Sequence, residues 1–97
     1  MCVVTGGSRG IGAAAARLAG ERGWDVLVNY RADEAAANAV ADHVRRAGAK
    51  AEVIAADVGT DAGIKAVFEA ADRFGTLTAL INNAGVGDQV GSLDTFT

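Results

Sequence analysis

Short β-branched runs alternate along this chain with longer segments of helical periodicity. Glycine alone punctuates them, because the sequence has 13 glycines and no proline. Cys2-Val3-Val4-Thr5 ends in Gly6-Gly7. From about Gly10 to Arg22, Ile11, Ala15 and Leu18 share one helical face, and Gly23 closes the segment. Val26-Leu27-Val28-Asn29-Tyr30 is a second strand. Asp33 then caps a helix whose inner face is Ala37, Val40, Ala41 and Val44, ending near Gly48. Ala51–Ala55 reads as a third strand. Thr60 caps a third helix with Ile64, Val67, Phe68, Ala71 and Phe74 at helical spacing, closed by Gly75. Leu77–Ile81 is a fourth strand, and the last dozen residues carry no firm pattern.

Strands that alternate with helices of this length form a parallel sheet through right-handed crossovers, which predicts an open doubly wound α/β sheet. A strand order of 3-2-1-4 puts the first two helices on one face and the third on the other. The second face then has a single helix, and the outer edge of Leu77–Ile81 lacks a further strand. An apolar edge and face left open in this way predict self-association or loose packing.

The chain has 97 residues, 51% of them hydrophobic, which suits one small domain rather than two. A net charge of −3 argues against nucleic acid as a partner. Residues 1–50 carry seven Lys/Arg against five Asp/Glu, and residues 51–97 carry two against seven, so a bound anion belongs in the first half. The single cysteine, Cys2, has no internal disulfide partner, and zinc-ligand spacing is absent. No uncharged apolar run is long enough for a bilayer, and Met1-Cys2-Val3 lacks the basic start of a signal peptide. No membrane is expected, and the cytoplasm is the expected compartment.

The first strand-to-helix turn reads Thr5-Gly6-Gly7-Ser8-Arg9-Gly10-Ile11-Gly12, a G-x-x-x-G-x-G spacing. Glycine allows positive φ and a close backbone approach, and a helix N-terminus presents free N–H donors to a phosphate. The same cluster also serves as an ordinary tight turn. Asp57-Val58 follows the third strand, and Asn82-Asn83-Ala84-Gly85 follows the fourth. Asp57 also reads as a cap near Thr60, and Asn82-Asn83 as a plain turn. Taken together, at the carboxyl ends of successive strands, the three motifs resemble the short-chain dehydrogenase/reductase family across essentially the whole chain.

That resemblance implies a Rossmann-like sheet of about four strands and three helices, incomplete relative to the full family domain. It also implies a dinucleotide site. Gly6, Gly10 and Gly12, with the backbone at Ser8, Arg9 and Ile11, would cradle the diphosphate. Asp57 would accept from the adenine amino group, and Val58 would offer backbone contact. Asn83, Ala84 and Gly85 would line the nicotinamide-side ribose, and Thr5 would tie the two turns together. Cofactor choice falls to the end of the second strand, Asn29-Tyr30-Arg31, which has no acid there. An acid would bond the ribose 2′-hydroxyl of NAD, whereas Arg31, with Arg9 as a second cation, suits the 2′-phosphate of NADP. Asp33 and Glu34 argue the other way unless they belong to the first turn of the next helix. NADP(H) is therefore favoured over NAD(H), with Tyr30 and Arg31 in the site.

The family's catalytic Ser and Tyr-x-x-x-Lys have no counterpart in this sequence. The only tyrosine is Tyr30, and Glu34 stands four residues on. The resemblance therefore implies the cofactor-binding half, residues 1–97, of an oxidoreductase moving hydride between nicotinamide and a small carbonyl or alcohol, with the catalytic half absent. This chain is expected to be inactive alone. A non-catalytic dinucleotide-binding module and an inactive truncated fragment are the alternatives. Elsewhere, His43 and Arg45-Arg46 read as solvated surface, Trp24 as a packing anchor, and Cys2 as a small buried hydrophobe.

Overall fold

A computed structural model describes residues 1–7, 10–83 and 94–96. In chain order the elements are β1 (Cys2–Thr5), α1 (Gly10–Glu21), β2 (Val26–Tyr30), α2 (Glu34–Arg46), β3 (Ala51–Ala55), α3 (Asp61–Phe74), β4 (Ala79–Asn82) and β5 (Asp94–Phe96). They build one sheet in the order β3-β2-β1-β4-β5. The first four strands are parallel, with Val3 opposite Leu27 on one side and Leu80 on the other. This is the Rossmann-like α/β arrangement, and β1, flanked by β2 and β4, is where the winding reverses.

Side chains alternate across the strands and so divide the interior into two cores. Cys2, Val4, Val26 and Val28 join Ala13 and Ala16 of α1 and Ala37, Val40, Ala41 and Val44 of α2. Val3 and Leu27 face the other way, onto Val67 and Ala71 of α3, with Ile54, Phe74 and Leu80 packed around them. Two helices therefore cover one face and one covers the other, as right-handed crossovers require. The caps fall where the sequence puts them. Asp33 accepts from the Ala36 amide at 3.0 Å, and the Thr60 hydroxyl accepts from the Gly63 amide at 3.0 Å.

Three expectations need correction. The inner face of α1 is not Ile11, Ala15 and Leu18. Gly12, Ala13, Ala16 and Gly20 are buried, while Ile11 is 64% and Leu18 50% exposed. The helix lies too close to its neighbours for branched side chains, since a Cβ on Gly20 would stand 2.8 Å from both methyl groups of Val44. On α3, Val67 and Ala71 are buried as expected, but Ile64 and Phe68 stay 41% and 42% exposed. A lone helix on a sheet face buries a narrow stripe, and its flanks stay in water. The fourth strand begins at Ala79 rather than Leu77, and its outer edge is not open. β5 pairs with it antiparallel, Leu80 opposite Phe96 and Asn82 opposite Asp94, within the stretch that shows no firm pattern in the sequence. An antiparallel partner needs no helical crossover, so no periodic segment announces it.

Candidate functional site

Because β1 to β4 run parallel, their carboxyl ends and the turns that follow collect on one edge of the sheet. Gly6 (φ +63) and Gly10 (φ +57) bend the first turn through the left-handed region, where a Cβ is disfavoured. Gly12 answers a different need. A Cβ there would lie 2.6 Å from Asn83 Nδ2 and 2.6 Å from the Gly6 carbonyl oxygen. Among the described residues, nothing lies within 4 Å of the position a Cβ on Gly10 would take.

The turn after β1 and the turn after β4 are stitched together. The Thr5 hydroxyl donates to Asn82 Oδ1 at 2.9 Å and accepts from the Asn83 amide at 3.1 Å. Asn83 Nδ2 donates to the Gly6 carbonyl at 3.1 Å. Gly6, Gly12 and Asn83 thus meet at the reversal point between β1 and β4, where open α/β sheets bind ligands. Thr5 links the two turns in the way the family resemblance implies.

The turn after β3 has its own internal order. Asp57 Oδ1 accepts from the Gly59 amide at 2.8 Å, and the Asp57 carbonyl accepts from the Thr60 hydroxyl at 2.9 Å. Asp57 is exposed, and its Oδ2 has no partner among the described residues. The turn reading of this residue therefore holds alongside a free acceptor. Val58 is half-buried against the α3 core. At the end of β2, the side chain of Tyr30 lies in the core beneath α2, whereas Arg31 is exposed and makes no ion pair with the described residues. Burial first, and then the neighbouring Glu34 carboxylate, push the Tyr30 phenol above the ordinary tyrosine range, so it stays neutral at physiological pH. Asp33 is the helix cap and Glu34 the first helical residue. Ile11 projects into solvent at the start of α1. Ser8, Arg9, Ala84 and Gly85 lie outside the described residues.

The site residues expected from the sequence do not include Asn29, yet its side chain is bonded to two segments of this edge. It is 2% exposed on a strand whose other members are apolar or aromatic. Its Oδ1 accepts from the Gly6 amide at 3.2 Å, and its Nδ2 donates to the carbonyls of Ala56 at 3.1 Å and Ile54 at 3.3 Å. Its own carbonyl accepts from the Gly7 amide at 2.9 Å. The signal in the sequence was a lone amide in a central strand, where parallel sheets are otherwise continuously apolar.

Residues set aside as bland divide. Cys2 is buried. His43 is not simply solvated, since its Nε2 lies 2.7 Å from Glu21 Oε2 and links α2 to the end of α1. Arg45 donates to the Ala51 carbonyl and to Asp42. Trp24 is 37% exposed at its corner. Among the described residues no group of three His, Cys, Asp or Glu side chains gathers to hold a metal ion, and no helix is long and apolar enough to cross a membrane.

Comparison with known proteins agrees with this architecture. The family model described as short chain dehydrogenase matches residues 1–96. The uncharacterized oxidoreductase YgfF of Escherichia coli is 44% identical over 87 residues, which cover 89% of this chain and 35% of that protein. Acetoin dehydrogenase from Enterobacter cloacae superposes with a TM-score of 0.82 at 37% identity, over 88% of this chain and 34% of its own. A Burkholderia cenocepacia protein described as a dehydrogenase, with bound NADP, superposes with a TM-score of 0.78 at 34% identity, over 84% of this chain and 32% of its own. The chain spans about a third of the length of the relatives it matches.

Proposed function

This chain belongs to the short chain dehydrogenase family, and from that premise we propose that residues 1–97 are the dinucleotide-binding half-domain of an oxidoreductase that takes NADP(H) in preference to NAD(H). The observation that carries the reading is the glycine turn. It is bent by positive φ at Gly6 and Gly10 and pinned to Asn83, and no described residue crowds the Cβ position of Gly10 at the start of α1. Such a cradle suits a diphosphate.

Each residue of the site then has a part. Gly6, Gly10 and Gly12 shape the cradle, and the backbone at Ser8, Arg9 and Ile11 supplies its wall. Asp57 accepts from the adenine amino group through the oxygen that its turn leaves open, with Val58 beside it. Asn83, Ala84 and Gly85 line the nicotinamide-side ribose. The strand end at Tyr30 presents Arg31 to the 2′-phosphate, with Arg9 as a second cation. Asp33 stands three residues past Tyr30 and caps α2 through Oδ1, so the strand end itself carries no acid. When bound, the nicotinamide exchanges hydride with a carbonyl or alcohol carbon of a small-molecule substrate. The chain's own tyrosine is packed in the core and has Glu34 four residues on, so the Tyr-Lys acid/base pair of this chemistry is not among residues 1–97. The relatives it resembles are about three times its length, in keeping with a catalytic half outside this stretch. A cytoplasmic location fits its single cysteine.

Calorimetric titration of the chain with NADPH and NADH tests the reading. Saturable binding, tighter for NADPH, is the expected result, and absence of binding by either cofactor overturns it. In the same preparation NADPH absorbance should stay constant with a panel of aldehydes and ketones. General acid/base assistance is worth about 10²–10⁴-fold, and the group that would give it is missing. Sustained turnover by the purified chain would refute the assignment of catalysis to residues elsewhere.

A further inference from the structure

The Asn29 carboxamide touches two segments that the cofactor reading treats as separate subsites. Its Oδ1 holds the Gly6 amide, its Nδ2 holds the carbonyls of Ala56 and Ile54, and its backbone carbonyl holds the Gly7 amide. Ala56 immediately precedes Asp57, so the same amide group reaches the glycine turn on one side and the foot of the Asp57 turn on the other. A polar side chain this deeply buried is tolerated only when its hydrogen bonds are made, and here all its polar atoms are used. The Gly6 and Gly7 amides both point inward to Asn29, which leaves the donors an anion would meet to residues after Gly7.

We propose that Asn29 is a positioning residue, a strut that fixes the distance between the glycine turn and the Asp57 turn so that one dinucleotide spans both. The inference rests on the dinucleotide reading above. Residue chemistry explains why an amide stands there. An aspartate would set a second acceptor against the Ala56 and Ile54 carbonyls, with no proton for either. A serine would be too short to reach from Gly6 to Ala56. A leucine would bury the Gly6 amide and two carbonyls without partners, each such group costing more than the bond it replaces. Unlike Arg31, Asn29 has no reason to sense the 2′-phosphate, because its contacts all run to backbone atoms inside the fold.

The test compares the wild-type chain with Asn29→Asp and Asn29→Ser. Three readouts are used: far-UV CD for folding, calorimetry with NADPH and NADH, and amide exchange by NMR at Gly6 and Gly7. Both variants should stay folded and bind both cofactors about tenfold more weakly, by the same factor, so that the NADPH/NADH ratio is unchanged. In Asn29→Ser, which withdraws the acceptor, the Gly6 amide should exchange faster, whereas in Asn29→Asp a carboxylate oxygen still accepts from it and its protection should persist; the Gly7 amide, bonded to the Asn29 backbone, should keep its protection in both. If Asn29→Asp does not fold, Asn29→Ser carries the comparison. If neither folds, the role is structural and the proposal is overturned. Folded variants with wild-type affinity, or with a changed cofactor ratio, also overturn it. A wild-type chain that binds neither cofactor removes the dinucleotide reading itself, and unchanged Gly6 exchange in Asn29→Ser would then remove the strut independently.

Discussion

Arg31 is the residue on which cofactor preference turns. It is exposed at the end of β2 and makes no ion pair with the described residues, while Asp33, two residues on, caps α2 through Oδ1. A charge-assisted bond to phosphate contributes about 1.5–3 kcal/mol. Arg31→Ala should therefore weaken NADPH binding by at least about tenfold and leave NADH within about twofold, as read by calorimetry. Equal losses for both would remove Arg31 from the 2′-phosphate site. Cys2 gives a second residue-level prediction. Burial raises its thiol pKa above the ordinary cysteine value, and the nearby amino terminus offsets only part of this. The folded state thus holds the thiol proton more tightly than the unfolded chain does. The resulting stabilisation is complete below the unfolded thiol pKa of about 8.5 and is lost as pH rises through the folded value. Tyr30, also raised, acts in the same direction at higher pH. Urea melts at pH 7, 9 and 10 should show falling stability, and Cys2→Ala should flatten the first part of that fall. An unchanged slope in Cys2→Ala would assign the loss to other groups.

At the scale of elements, α1 and α2 approach closely at Gly20 and Val44. A Cβ on Gly20 meets the rigid branched side chain of Val44, which cannot swing aside as a long side chain would. Gly20→Ala gains up to about 1 kcal/mol in helix propensity but adds overpacking of about 1–3 kcal/mol. We expect a net destabilisation of about 1 kcal/mol, measured as a lower urea midpoint. The double variant Gly20→Ala/Val44→Ala should show favourable coupling between the two sites, and strict additivity would mean that the helices do not constrain each other there. The helix caps were legible at this scale because a cap is local. Asp33 and Thr60 bond amides three residues away, and nothing distant competes. The face α1 buries was not legible, because apolar periodicity ranks side chains by hydrophobicity. Close helix contact selects for smallness instead.

The molecule as a whole leaves apolar surface on both sides of its sheet. Ile11 and Leu18 are exposed on α1, and Ile64 and Phe68 on α3. β5 closes the edge of β4 that an open sheet would offer, which moves the adhesive region from the strand edge to the helix flanks. The isolated chain should therefore associate in a concentration-dependent manner in sedimentation velocity. Phe68→Lys, an exposed position outside the site, should shift it toward monomer without changing NADPH affinity. A monomer at every concentration with a sharp cooperative melt would show that these flanks need no cover.

The sequence by itself determined the elements from β1 to β4, their parallel order, the helix caps and the positions of the site motifs. Each depends on neighbours within a few residues or on the handedness of a single crossover. Only the tertiary structure decided three further features. The small-residue stripe of α1 depends on how near α2 comes. The pairing of β5 with β4 depends on backbone groups that any sequence carries. The linkage of Asn29 to Gly6 and Ala56 joins residues 23 and 27 positions away. In each case the deciding partner is brought close only by the folding of other elements, and no local pattern records a distance across the sheet.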